Sequence, residues 1–129
     1  MSVTVVVPIN TKNPTNTREH WAERAKRVKA QRAAVGLMLR ANCVANRIEA
    51  MFMRLPWTSN GLVVALARVS PRAMDDDGAI AALKHVRDEV AAYFGVNDND
   101  PRIAWRYAQA KGKACVRIEL SVVAKTEAA

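Results

Sequence analysis

Cysteine is nearly missing, which removes two ways of holding a small chain together. Cys43 and Cys115 stand alone among 129 residues, and neither has further ligand residues at metal-binding spacing. A disulfide framework and a thiolate zinc site are therefore excluded, and the pair is expected as buried thiols in a reducing cytoplasm. Glycine is sparse too, at five residues, with no glycine-rich run of the kind that cradles a nucleotide phosphate. The two histidines, His20 and His85, have no cysteine or serine set around them, so a nucleophile–base pair has little to build on. No apolar stretch approaches the roughly 18 residues that a membrane span needs. The N-terminus runs straight into Val3-Thr4-Val5-Val6-Val7, with no leader-like pattern. Internal repeats are absent.

Acids are scarce as well, 12 against 20 Lys and Arg, for a formal charge of +8. Their placement is what stands out. Residues 75–100 carry seven acids against Lys84 and Arg87, while the rest of the chain carries 18 bases against five acids. Asp75-Asp76-Asp77 makes one run and Asn97-Asp98-Asn99-Asp100 another, with Asp88 the one remaining aspartate. An anionic spot in a cationic surround suits a metal-dependent enzyme acting on a polyanion. Carboxylates hold hard divalent cations, and lysine and arginine neutralise phosphates. The overall charge makes nucleic acid the leading partner.

The length fits one domain, 1–129, able to bury a core without staples. Residues 2–7 read as a strand stopped by Pro8, followed by a polar loop over 10–16. Thr17 is a candidate N-cap for a helix reaching about Ala45. Trp21, Ala25, Val28, Val35 and Leu39 make its apolar stripe, Arg32 interrupts that stripe, and Arg18, Arg24, Lys26, Arg27 and Lys29 make its first half basic. Residues 46–61, with Met51-Phe52-Met53, carry no clear period and end in turn formers. Leu62 to Val69, apolar on both alternating faces until Arg68, reads as a central strand covered on both sides. A second helix should run from an Asp77 N-cap to Phe94, stopped by Gly95. Its core stripe is Ala79, Leu83, Val86, Val90 and Phe94. Asp77, Ala81, Lys84 and Asp88 fall opposite, where Lys84 and Asp88 could also be a plain i,i+4 pair. Two strands follow, one with Ile103, Trp105 and Tyr107 on one face, the other with Val116, Ile118, Leu120 and Val122. Joined by Lys111-Gly112-Lys113, they are expected to pair as an antiparallel hairpin, and the tail after Lys125 to fray. The class is α+β: a single domain with a small mixed β-sheet and two main helices in the order β-α-β-α-β-β.

Asp-x-Asp just past a central strand sets carboxylates where a helix starts. That suits Mg²⁺, which takes one or two carboxylates and keeps waters for a phosphate to displace. Asp100 is the candidate third ligand and Asp98 its reserve. Lys84 could offset charge on the phosphate or the leaving oxygen. The bland alternatives are an N-cap for Asp77 and turn chemistry for Asp98-Asn99-Asp100. A calcium loop starting at Asp98 fails, because its sixth position is Ile103 and its twelfth Gln109. Arg24, Arg27, Lys29, Arg32, Arg72, Arg102, Lys111 and Lys113 are the candidate DNA-backbone contacts.

These residues resemble the RusA-type Holliday junction resolvases. The likeness is carried by Asp75-Asp76-Asp77-Gly78-Ala79, then Lys84 with Asp88, then Gly95 and Asn99-Asp100, supported by Pro8, Asn16, His20-Trp21 and Lys29-x-Gln31-Arg32. It spans roughly residues 3–122. Gly78 and Ala79 stand where that family usually has Asn and Leu. The resemblance implies a cytoplasmic, homodimeric, Mg²⁺-dependent endonuclease, with Mn²⁺ as a substitute metal, that cuts four-way DNA junctions in recombination and repair. It implies Asp75, Asp77 and Asp100 as catalytic metal ligands, with Asp76 or Asp98 the alternates, and Lys84 as the catalytic lysine. Two other readings stand beside it: a non-catalytic nucleic-acid-binding phage regulator using the basic helix, and an interaction module whose acidic patch meets a basic partner. On the nuclease reading, Asp75, Asp77 and Asp100 should meet around one ion, and Asp100→Asn should spare the fold.

Overall fold

The computed structural model describes residues 2–11, 21–46 and 61–122. Thr17, Arg18, His20, Met51 to Met53 and the tail after Lys125, all named above, lie outside those residues. The chain runs β1 (Ser2–Val7), α1 (Trp21–Asn46), β2 (Leu62–Ser70), α2 (Asp76–Ala82), α3 (Lys84–Tyr93), β3 (Ile103–Lys111) and β4 (Cys115–Val122). One mixed sheet holds the four strands of the described residues in the order β1-β4-β2-β3. The expected α+β class and element order hold, with the second helix divided at Leu83 into α2 and α3.

Each strand alternates because one face of the sheet is packed and the other is not. Val3, Val5 and Val7 of β1, Leu62, Val64 and Leu66 of β2, and Val116, Ile118 and Leu120 of β4 all point inward. Val35, Leu39 and Cys43 of α1 and Leu83, Val86, Val90 and Phe94 of the second helical segment close the core over them. The inward stripe expected for that segment is fully buried. On β2 the alternate residues Val63, Ala65 and Ala67 are only half-buried, so this strand is central but not packed equally on both faces. Cys43 is buried, Cys115 is half-buried, and neither is in a disulfide.

The expected β3–β4 hairpin does not form. β2 lies between the two strands, parallel to β3 and antiparallel to β4. Residues 112–114 pass over the end of β2, where Gly112 N–H donates to the Ser70 carbonyl at 3.2 Å. The crossing is close: a Cβ on Gly112 would sit 3.1 Å from Val69 Cγ1. Alternation in β3 and β4 identified their inward faces, but it says nothing about which strand is the neighbour.

Gly95 ends α3 as expected. It has φ +71°, its N–H bonds the Ala92 carbonyl, and Val96 N–H reaches the Ala91 carbonyl. Gly95→Ala should therefore cost about 1–2 kcal/mol, since a Cβ disfavours this left-handed turn. Urea unfolding checks this, and an unchanged midpoint would show the turn to be indifferent to the residue.

Candidate functional site

The acid run sits where β2 hands over to α2. Ser70 closes the strand, residues 71–75 cross to the helix, and Asp75 is the N-cap, its Oδ1 accepting the Gly78 N–H at 3.0 Å. The expected cap was Asp77. Asp76 and Asp77 instead occupy the first turn, where the positive end of the helix dipole favours them. All three side chains are exposed. Arg68 and Gln109, aligned across the parallel β2–β3 register, reach the crossing loop. Arg68 Nη1 donates to the Arg72 carbonyl at 3.0 Å. Gln109 accepts from Met74 N–H at 3.1 Å and donates to the Met74 carbonyl at 2.7 Å.

The second acidic stretch is elsewhere. It precedes β3, while Gln109, against Met74, lies six residues further along that strand. At roughly 3.3 Å per residue the two ends are about 20 Å apart. Asp100 is buried and committed to Arg102: Oδ1 accepts from the Arg102 backbone N–H at 2.9 Å and from its Nε at 3.1 Å, and Oδ2 lies 3.0 Å from Nη2. Those bonds hold its carboxyl below the ordinary carboxylate range, with burial opposing. Asp98 faces Arg87, Oδ2 lying 3.0 Å from Nε, and its carbonyl accepts from Arg87 Nη2 and Trp105 Nε1. The Arg87 guanidinium also lies 4.6 Å over the Trp105 ring and reaches the Tyr107 hydroxyl.

The expected meeting of Asp75, Asp77 and Asp100 around one ion is thus not found within the chain. Among the described residues, no three His, Cys, Asp or Glu side chains form a group able to hold a metal. A three-carboxylate site does not fit this chain alone. Asp75 and Asp77 remain as exposed hard-oxygen donors, within the one or two carboxylates that Mg²⁺ usually takes.

The expected basic contacts fall into separate places. Arg72 and Lys111 line a pocket of about 570 Å³ with Ser70, Pro71 and Gln109, beside the acid run, and exposed Lys113 follows in the next turn. Arg24, Lys29 and Arg32 line a groove of about 630 Å³ with Trp21, Val28 and His85. Arg27, on the same helix, is half-buried. Trp21 and Ala25 of the expected apolar stripe are exposed there, and Arg32 pairs with Glu89 of α3 at 2.9 Å. Burial keeps His85 below the usual imidazole range, with Asp88 pulling the other way. Arg102 corrects an expectation: it is 4% exposed and bound to Asp100, so it is not a DNA contact. Lys84 is exposed at the start of α3, and among the described residues no ion pair joins it to Asp88. Gln109 and Arg68 were missed as site residues. The signal was available, because both are polar at the positions that continue the inward alternations Leu62, Val64, Leu66 and Ile103, Trp105, Tyr107. No family model and no curated protein sequence matches the chain.

Asp100→Asn should not spare the fold, contrary to the expectation from sequence. Breaking a buried ion pair should cost about 3 kcal/mol near neutral pH. The folded-state pKa is depressed, so this contribution is fully present above the unfolded value of about 4. It is lost as pH falls through the folded one. Urea unfolding of both proteins across pH 2–7, as roughly bounded by those values, should show curves that converge in acid. A constant gap, or none, would remove the ion pair as its source.

Proposed function

We propose that this chain is a Mg²⁺-dependent endonuclease of the RusA type, acting as a homodimer on four-way DNA junctions. One observation carries the reading. An exposed acid run at the exit of the central strand lies beside a pocket lined by Arg72 and Lys111. Mg²⁺, or Mn²⁺ in its place, would be held by Asp75 and Asp77, with Asp76 the alternate. When bound, the cation supplies an acidified water and neutralises charge on the phosphodiester. Arg72, Lys111 and Lys113 hold the phosphate backbone next to it. Arg24, Arg27, Lys29 and Arg32 take a further stretch of DNA along the first half of α1. Lys84 offsets charge at the phosphate or leaving oxygen.

The homodimer gives the far acids a place in this reading. Among the described residues β3 is an edge strand with one neighbour, and a pocket of about 430 Å³ runs along it, lined by Asp76, Ala79, Ile80 and residues 105–109. Antiparallel pairing of two copies along this edge would bring the Asp100 end of one towards the acid-run end of the other.

A second reading is favoured by one specific contact. With both Asp100 oxygens bound to Arg102, the chain could instead be a non-catalytic DNA-binding protein using the same basic surface. Incubation with a synthetic four-way junction, with Mg²⁺ and with chelator, separates the two. The nuclease should cut only with metal, and Asp75→Asn should bind the junction without cutting it. Binding with no cleavage in either Mg²⁺ or Mn²⁺ would leave the second reading standing.

Two further outcomes follow from the assigned roles. Lys84→Ala should lower the single-turnover rate about a hundredfold with junction affinity unchanged. An equal rate would make it a surface lysine. Replacing Arg72 and Lys111 together by alanine should weaken binding and reduce the salt slope by about two. An unchanged slope, measured by gel shift from low to physiological salt, would remove both from the interface.

A further inference from the structure

The apolar stripe of α1 outruns the core. Its C-terminal part, Val35, Leu39 and Cys43, is fully buried. At helical spacing the same stripe continues towards the N-terminus through Val28, Ala25 and Trp21. There Val28 is half-buried, Ala25 is exposed and Trp21 is 76% exposed. Among the described residues no other large apolar side chain is as exposed as this indole. Single exposed apolar side chains are ordinary on a protein surface. This one is not single. It opens the groove of about 630 Å³ between α1 and α3, with Ala25 and Val28 on one wall and His85 on the other. At 1.5 Å per residue, the groove is about 16 Å long from Trp21 to Arg32.

The rim of the groove is cationic. Arg24, Lys29 and Arg32 line it against one carboxylate, Glu89, which is joined to Arg32 at 2.9 Å. The lining residues thus carry a net positive charge, and the complement of such a groove is an anion. His85 stands one turn before Glu89 on α3. Because burial keeps its imidazole below the usual range, near neutral pH it offers one donor and one acceptor rather than a charge. An anion that also has an apolar ring face and a polar ring edge is a nucleotide. An aromatic face bordered by cations is how single-stranded nucleic acid is held. A duplex offers its phosphates to such a surface but hides the faces of its bases in its own stack. The indole gains only where a base is unpaired.

We propose that the α1–α3 groove binds an unpaired nucleobase stacked on Trp21, with Arg24 and Lys29 on the flanking phosphates and His85 at the base edge. This rests on the DNA-binding part of the function proposed above, but not on its metal. In branched DNA the stack is interrupted at the branch point, and the groove would engage the substrate there. Arg32, held by Glu89, closes the far end of the groove.

The test is fluorescence anisotropy with the full chain in chelator, so that no cleavage intervenes. The labelled probes are a thymidine strand of about 12 nucleotides, a strand of equal length without bases, a duplex of that length and a four-way junction. The proteins are wild type, Trp21→Ala, Trp21→Phe and Lys29→Ala. Wild type should bind the thymidine strand about tenfold more tightly than the baseless one. Trp21→Ala should lose that tenfold, bind the two strands alike and bind the duplex as wild type does. Trp21→Phe keeps a ring and should retain most of the affinity. Lys29→Ala should weaken both strands and reduce the salt slope by about 0.7. Equal affinity of wild type for the strands with and without bases would overturn the stacking site, whatever the variants do. An equal loss by Trp21→Ala on strand and duplex overturns it too, since that is the mark of a structural role. If wild type binds duplex and junction but not the single strand, the groove inference falls and the DNA-binding reading survives. No binding to any probe removes both. A changed oligomeric state of Trp21→Ala in sedimentation velocity would put a second copy in the groove and likewise overturn the proposal.

Discussion

The pairing demand of β2 organises this molecule. A nine-residue strand with Leu62, Val64 and Leu66 buried in the core must have its backbone polar groups paired along both edges. β4 supplies one edge and β3 the other. Because β3 runs parallel to β2, the chain must leave β2 at one end of the sheet and enter β3 at the opposite end. The α2–α3 crossover bridges that distance. The two acidic stretches lie at the start and the finish of this crossover. Their separation is therefore a consequence of topology and not of side-chain detail. An antiparallel β2–β3 pair would have placed them together.

This separation divides the local charge into two parts with different chemistry. Asp98 and Asp100 lie beside Arg87 and Arg102, so the far end of the crossover is largely neutralised by its own cations. Among the described residues Asp75, Asp76 and Asp77 have no arginine or lysine paired with them, and they sit at helix-terminal N–H groups, one of them the Gly78 N–H, and at the dipole of a short helix. The concentration of acid seen in the sequence is thus half turn structure and half exposed carboxylate.

Much of the fold was legible because hydrophobic period reports burial directly. The stripe from Ala79 to Phe94, the alternation from Val116 to Leu120 and the Gly95 stop all read true. The break at Leu83, where φ is −94° and ψ 0°, left no mark on that stripe, since Leu83 stays buried on either side of it. Strand order and direction were not legible. Alternation in β3 and β4 fits a hairpin and a strand-separated pair equally well, and only the needs of β2 decide between them. The N-cap was misplaced within a run of three identical residues, each of which has good capping chemistry. The Asp100 pairing lies two residues away in sequence, but charge alone marks Arg102 as a DNA contact and not as a partner.

The strand directions also decide which surface a polyanion could use. Val7 of β1 aligns with Val116 of β4, Val116 with Arg68 of β2, and Arg68 with Gln109 of β3. Thr11, the acid-run loop, Lys111 and Lys113 therefore gather at one end of the sheet. Cations at that end are left without carboxylate partners among the described residues: Arg68 meets neutral oxygens, and Arg72 and Lys111 line an open pocket. At the other end Asp98 and Asp100 each have an arginine. A phosphate approaching the first end meets Arg72 and Lys111 beside the exposed Asp75, Asp76 and Asp77, and carboxylates repel phosphate unless a cation lies between them. The same arrangement that would weaken DNA binding without metal would strengthen it with metal. Junction affinity in chelator and in Mg²⁺ is then a direct reading of whether the acid run is occupied. Equal affinity in the two conditions would mean that the carboxylates take no part in holding the DNA.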